Sequence, residues 1–249
     1  MTLSADIEQT HRVRSLIEEL LADPRQLGPD YQPVVPLADG EGAPVAVKAT
    51  GRGRPGTALA DTLALLESAQ SLGLVERLDW AFRALAFEDL LTRPELELHL
   101  TPEPETFGTM CPPRLAGLVS RARRELRIAA EIHAETFADP TRLRGGVAEI
   151  RDWGWRVVVA DIGDDPAALE QAGRLHPDVV QIDYAAADRL ATAPAAGVRR
   201  LQALAAADGA QLMAINADTP AARDAALAHG CVIARGGQFG APGDLAAVR

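Results

Sequence analysis

Residues 155–183 read WRVVVADIGDDPAALEQAGRLHPDVVQID. The two short apolar runs at its ends, WRVVVAD (155–161) and DVVQID (178–183), are strand-like, and a helical segment separates them. Asp165 precedes Pro166, which places a capping side chain before a proline at the first position of a helix. Strand, helix and strand at this spacing predict parallel sheet with a helical crossover.

The same alternation extends in both directions. Downstream lie AQLMAIN (210–216) and CVIAR (231–235), separated by a helix that opens at Thr219-Pro220 and ends at Gly230. Upstream lie LELHLT (96–101) and LRIAAEI (126–132), and a helix opening at Asp139-Pro140 carries the stripe Leu143, Val147, Ile150. Further upstream, helices are predicted near 59–70 and 74–91, the second with Leu74, Leu78, Phe82 and Leu85 on one face. YQPVVPL (31–37) and PVAVKAT (44–50) flank ADGEG, whose Asp-Gly chemistry is that of a hairpin, so the first strand is predicted antiparallel to the second. Residues 5–21 form an amphipathic helix through Ile7, Val13, Ile17, Leu20 and Leu21.

About eight strands in a chain of 249 residues is the size of an α/β protein of the (β/α)8, TIM-like barrel type. The alternative is an open doubly wound sheet, but the first βα turn carries no G-x-G-x-x-G. The expected organisation is an N-terminal helix and linker (1–28) followed by one barrel domain (29–249).

Composition narrows the function. The net charge is −10 and aromatic residues make up 4% of the chain, so a basic, aromatic groove for a nucleic-acid polymer is not expected. The one dense basic block, RARRELR (121–127), reads as a solvated helix face. No apolar run is long enough to span a membrane, and the acidic N-terminus is not a signal peptide. Cys111 and Cys231 lack motif spacing, so a reduced, cytoplasmic protein is expected. Trp80, Trp153 and Trp155 read as packing residues.

In a barrel of this type, chemistry sits at the C-terminal ends of the strands. The polar residues there are Lys48, His99 with Thr101, Glu131, Asp161, Gln181 with Asp183, Asn216 and Arg235. Lys48 is the single lysine among 25 basic residues. This ring is poor in carboxylates and opposed by two cations, which a hard divalent ion disfavours. His99 and His133 have no Cys or His partner at metal spacing and read as structural.

The ordered motifs identify a resemblance. YQPVV resembles the YQPIV that opens the EAL family of cyclic di-GMP phosphodiesterases, and KATGR (48–52) falls on that family's EALxR. LHLTPEPETF (98–107) is similar to VNLSPRQF, and AEIHAETFADP (130–140) to the LEITE segment. WGWRVVVADIGDDPAAL (153–169) is similar to LGVRLALDDFGTG, and PDVVQID (177–183) to VDVLKID. AINADTP (214–220) is similar to AEGVET, and GGQFGAP (236–242) to GYLFGRP. The resemblance implies a (β/α)8-like barrel with an antiparallel first strand. It also implies a reaction in which Mg²⁺ or Mn²⁺ assists hydrolysis of one phosphodiester bond to give linear pGpG.

The departures from those motifs suggest that the reaction is lost. By the resemblance, the metal site's residues fall on Lys48 (a glutamate in the family), His99 (an asparagine), Glu131 (kept), Ala160 (an aspartate), Asp161 (kept) and Ile215 (a glutamate). The lysine that helps activate water falls on Gln181. The expectation is therefore a degenerate domain with no metal and no cofactor, in which the Lys48 ammonium sits between Glu131 and Asp161 in place of the ion. Ligand-contacting positions carried over from the family are Gln32, Arg52, Asp183, Arg235, Phe239 and Pro242. Arg52 suits a phosphate through its bidentate fork. Expected partners are cyclic di-GMP and an unidentified protein, and the resemblance further implies a second copy of the chain through residues 163–171. A non-catalytic signalling module ranks first, a metal-free cyclic di-GMP receptor second and an active phosphodiesterase last.

Overall fold

The computed structural model describes residues 2–23, 26–38, 42–133, 139–163, 165–185 and 195–249. The predicted hairpin turn falls at Asp39–Glu41, outside the described residues. Eight strands close into a barrel in chain order. They are β1 (Gly28–Pro36), β2 (Ala46–Arg52), β3 (Glu97–Leu100), β4 (Arg127–His133), β5 (Arg156–Ala160), β6 (Val179–Asp183), β7 (Gln211–Ile215) and β8 (Ile233–Ala234). β1 runs antiparallel to both β2 and β8, and every other neighbouring pair is parallel. The hairpin reading of β1 and β2 therefore holds, with Gln32 opposite Lys48.

The helices are α1 (Thr2–Ala22), α2 (Thr62–Leu72), α3 (Val75–Leu90), α4 (Ala116–Glu125), α5 (Pro140–Asp152), α6 (Pro166–Gly173), α7 (Ala195–Asp208) and α8 (Pro220–Ala228). The caps form as the sequence predicts. Asp139 accepts from the N–H groups of Thr141 and Arg142, Asp165 from Ala168 and Thr219 from Ala222, each ahead of a proline at the helix start. Gly230, at φ 83°, turns the chain after α8. On α4, Arg121, Arg123 and Arg124 are exposed while Val119 and Ala122 are buried, as expected for a solvated face.

Strand alternation divides the core in two. Val34, Ala46, Ala129, Val158, Val179, Met213 and Ile215 pack together inside the barrel. Their neighbours Val47, Leu98, Ile128, Ala130, Val157, Val159, Val180 and Ile182 point outward under the helices. That outer layer also contains Trp80 and Trp155, with Trp153 packed against it. The ring centroids of Trp153 and Trp155 lie 4.7 Å apart, edge to face. Among the described residues, no helix is long and apolar enough to cross a membrane.

A separate apolar cluster joins α1 to α2 and α3. Ile17, Leu20 and Leu21 meet Leu65, Ala69, Val75, Leu78 and Ala81. Ile17 is fully buried there. Ile17→Ala is expected to cost about 2–5 kcal/mol of unfolding free energy, read as a lower urea midpoint at unchanged slope. A change below 0.5 kcal/mol would mean that α1 does not dock as described.

Candidate functional site

Period-two alternation that fills the barrel's middle with apolar side chains places polar ones one step further along the same strands. Lys48 follows Ala46 on β2, and Glu131 follows Ala129 on β4. Glu97 and His99 on β3 and Thr101 just past it follow the inward alternation, while Leu98 and Leu100 join the outer core. Arg235 lies immediately past β8.

These side chains converge on one carboxylate. Lys48 Nζ donates to Glu131 Oε2 at 2.7 Å, and Arg235 Nη2 approaches the same oxygen at 3.4 Å. His99 Nδ1 lies 3.2 Å from Glu131 Oε1, and its Nε2 lies 3.1 Å from Glu97 Oε1. Glu97 is bound in turn by Arg156 at 2.9 Å. Glu131 and His99 are 0% exposed and Lys48 is 7% exposed, so this is an interior ion cluster.

The shifts follow from burial and pairing. Burial opposes the charge on Glu131, but Arg235, Lys48 and His99 outweigh it and hold the carboxyl well below its usual range. Burial also opposes a charged His99, but hydrogen bonds to Glu131 and Glu97 raise its pKa above 6.5. For Lys48, burial wins. Helped by Arg235 and opposed by Glu131, it lowers the ammonium pKa.

Lys48 does not sit between both retained carboxylates. It binds Glu131, while Asp161 turns to His133, with Oδ2 2.7 Å from Nδ1. Asp161, just past β5, has φ 52°, a left-handed conformation outside the strand's regular alternation. Hydrogen bonding from His133 lowers the Asp161 pKa against partial burial.

The other predicted positions are spread around the mouth. Ala160 and Ile215 are buried and apolar. Gln181 is buried, its amide nitrogen 4.0 Å from Met213 Sδ, and its Oε1 accepts no hydrogen bond among the described residues. Asp183 Oδ1 accepts from the Asn216 amide at 2.8 Å and from the Ala185 N–H at 2.7 Å. Gln32 donates to the Gly240 carbonyl at 3.3 Å, tying β1 to the closing segment. Arg52 pairs with Asp30 at 3.1 Å on the rim, with 38% of its side chain exposed. Phe239 packs half-buried against the outer core, and Pro242 is exposed.

A family model described as the EAL domain matches residues 14–242. The chain belongs to the EAL domain family. It is similar to the Xanthomonas citri FimX EAL domain solved in complex with c-diGMP, at 17% identity over 97% of each chain and a TM-score of 0.81. It is also similar to the PaMucR phosphodiesterase in its c-di-GMP complex, at 21% identity, covering 96% of this chain and 98% of that one, with a TM-score of 0.76. The FimX EAL domain of Pseudomonas aeruginosa bound to c-di-GMP shares 14% identity, covering 95% and 98% of the two chains, with a TM-score of 0.77. At these identities the likeness establishes the fold. No curated protein matches the sequence.

Sequence reasoning missed two parts of this EAL domain's site. Glu97 and Arg156 lie at the starts of their strands, where no strand-end survey looks, yet through His99 they join the Glu131 cluster. The partnership of His133 with Asp161 was also missed, although the alternation of Ala129, Glu131 and His133 on β4 marks all three as inward-facing.

Two measurements check the cluster. Glu131→Ala leaves buried cations without their counter-charge and is expected to cost about 3–5 kcal/mol in urea unfolding; a loss under 1 kcal/mol would contradict the pairing. The His99 pKa is raised above 6.5, so its contribution to stability is complete below that value and falls as pH rises through the folded-state pKa. The stability gap between wild type and His99→Asn is therefore expected to narrow from pH 6 to pH 9. A gap constant with pH would show that His99 carries no linked proton.

Proposed function

We propose that this EAL domain has lost the family's metal-assisted phosphodiester hydrolysis and works by binding, as a non-catalytic signalling or protein-interaction module of bacterial cyclic di-GMP signalling. One observation carries this reading: the ammonium of Lys48 and the guanidinium of Arg235 sit on the same oxygen of Glu131. A divalent ion of the Mg²⁺ or Mn²⁺ type needs several free oxygen ligands. Here Glu131 is engaged by cations, Asp161 is engaged by His133, and Ala160 and Ile215 supply no donor. These residues do not fit the ion. Bound cations also repel it, and Gln181 has no charge with which to bring up a water.

The second reading is a metal-free receptor for cyclic di-GMP. Arg52 favours it, because its partly exposed guanidinium stands at the barrel mouth and suits a phosphate. Relatives of the same fold solved with the nucleotide add support.

Calorimetric titration with cyclic di-GMP in EDTA, then in Mg²⁺ or Mn²⁺ with chromatography for pGpG, tests both readings. No pGpG is expected under either condition. Binding heat in EDTA that Arg52→Ala weakens at least about tenfold identifies the receptor, and no heat in either condition supports the interaction module. Turnover to pGpG would overturn the main claim. Lys48→Glu alone is expected not to restore turnover, because Ala160, Gln181 and Ile215 remain.

A further inference from the structure

Lys48 reaches a second group besides Glu131. It donates to Thr101 Oγ1, and that hydroxyl lies 3.5 Å from His133 Nε2. The opposite ring nitrogen of His133 contacts Asp161 at 2.7 Å. With His133 neutral, one set of proton positions satisfies these contacts. His133 Nδ1–H donates to the Asp161 carboxylate, which leaves Nε2 as an acceptor. Thr101 accepts from Lys48 and directs its own O–H toward Nε2. The line Thr101, His133, Asp161 thus has a hydroxyl, a base and the carboxylate that fixes the base's tautomer.

Lys48, Thr101 and His133 all line one cavity of about 230 Å³ at the barrel mouth. Ala49, Leu66, Phe82 and Leu100 give the same cavity apolar walls. It therefore brings together a nucleophile, a general base, a cation and room for an apolar group. Side-chain exposure of 25% at His133 and 50% at Asp161 leaves the relay open to substrate and water.

We propose that Thr101, His133 and Asp161 form a metal-independent acyl-transfer site for small carboxylic esters with an apolar acyl group. This inference goes beyond the binding role above, which sets aside only metal-assisted phosphodiester hydrolysis: Asp161 falls on a metal position of the family, but here it acts on His133, and no step uses a metal ion or a phosphate. Thr101 Oγ attacks the ester carbonyl carbon and passes its proton to His133 Nε2, while the carbonyl π electrons move onto oxygen beside the Lys48 ammonium. When that pair returns, the C–O bond to the alcohol breaks, and His133 returns the proton to the leaving oxygen. The result is an acyl-threonine and a free alcohol. Water, deprotonated by His133, then adds to the acyl carbon; collapse releases the carboxylic acid, and the proton held by His133 restores the Thr101 hydroxyl. Asp161 acts through His133 and is a positioning residue.

The test uses the full chain in EDTA with p-nitrophenyl acetate. Hydrolysis above buffer is expected, with the acetyl group found on Thr101 by peptide mass spectrometry after an acid quench. Thr101→Val and His133→Gln are each expected to lower the rate at least about tenfold, whereas Thr101→Ser retains it. Asp161→Asn is expected to lower kcat with KM and melting temperature unchanged. His11→Gln, on the exposed face of α1, controls for surface imidazole and is expected to leave the rate unchanged. The adduct on the wild-type chain requires no variant to fold. Hydrolysis no faster than buffer, acetyl found only elsewhere, or a rate equal in wild type and a folded Thr101→Val overturns the proposal.

Discussion

A carboxylate with no exposed surface organises the interior of this barrel. Glu131 stands above the apolar layer formed by Ala46, Ala129, Val158 and their neighbours, where an uncompensated charge is not tolerated. Its three cationic or proton-sharing partners come from separate elements: Lys48 from β2, His99 from β3 and Arg235 from the end of β8. Barrel closure makes the meeting possible. β1 runs between β2 and β8, so Lys48 on β2 and Arg235 just past β8 converge on one oxygen across it. Fold and charge cluster are therefore one constraint. An open sheet would leave the β8 edge far from β2 and Glu131 short of a partner.

On the proposed loss of the metal, the same accounting ties these positions together: Ala160 and Ile215 are buried and apolar, and Lys48 and Arg235 meet the Glu131 carboxylate in the ion's place. Gln181 belongs to this balance. A third cation on β6 would add positive charge to a region already supplied with it, whereas an amide adds none. Its cost is local: a buried oxygen without a hydrogen-bond donor among the described residues.

Much of the fold was legible because strand and helix signals are local. The caps at Asp139, Asp165 and Thr219 fix three helix starts, and the β1–β2 hairpin chemistry fixes the antiparallel pair. Strand ends were less legible. CVIAR reads as a full strand, yet only Ile233 and Ala234 form β8, while Val232 offers its carbonyl to Leu37. The site was legible as a ring of polar positions, but not as a set of partnerships. Lys48 takes Glu131 while Asp161 takes His133, and nothing in the string ADIG announces that pairing or a positive φ on an aspartate. The Glu97–Arg156 pair lies at strand starts, and its relevance appears only once His99 is seen to bridge both glutamates.

Lys48 belongs both to the interior ion cluster and to the wetter relay at the mouth. In a chain whose other basic residues are all arginine, the choice of lysine here has a geometric reason. An ammonium is compact and directs three donors tetrahedrally, so one can meet Glu131 while another meets Thr101. A guanidinium presents its donors in a plane and requires more room. Arg235 already brings one guanidinium to the same glutamate oxygen, and a second would crowd it or turn away from Thr101. The lysine therefore does more than balance charge. It sets the direction in which the Thr101 hydroxyl points, and so links the buried carboxylate to the side chains that face solvent.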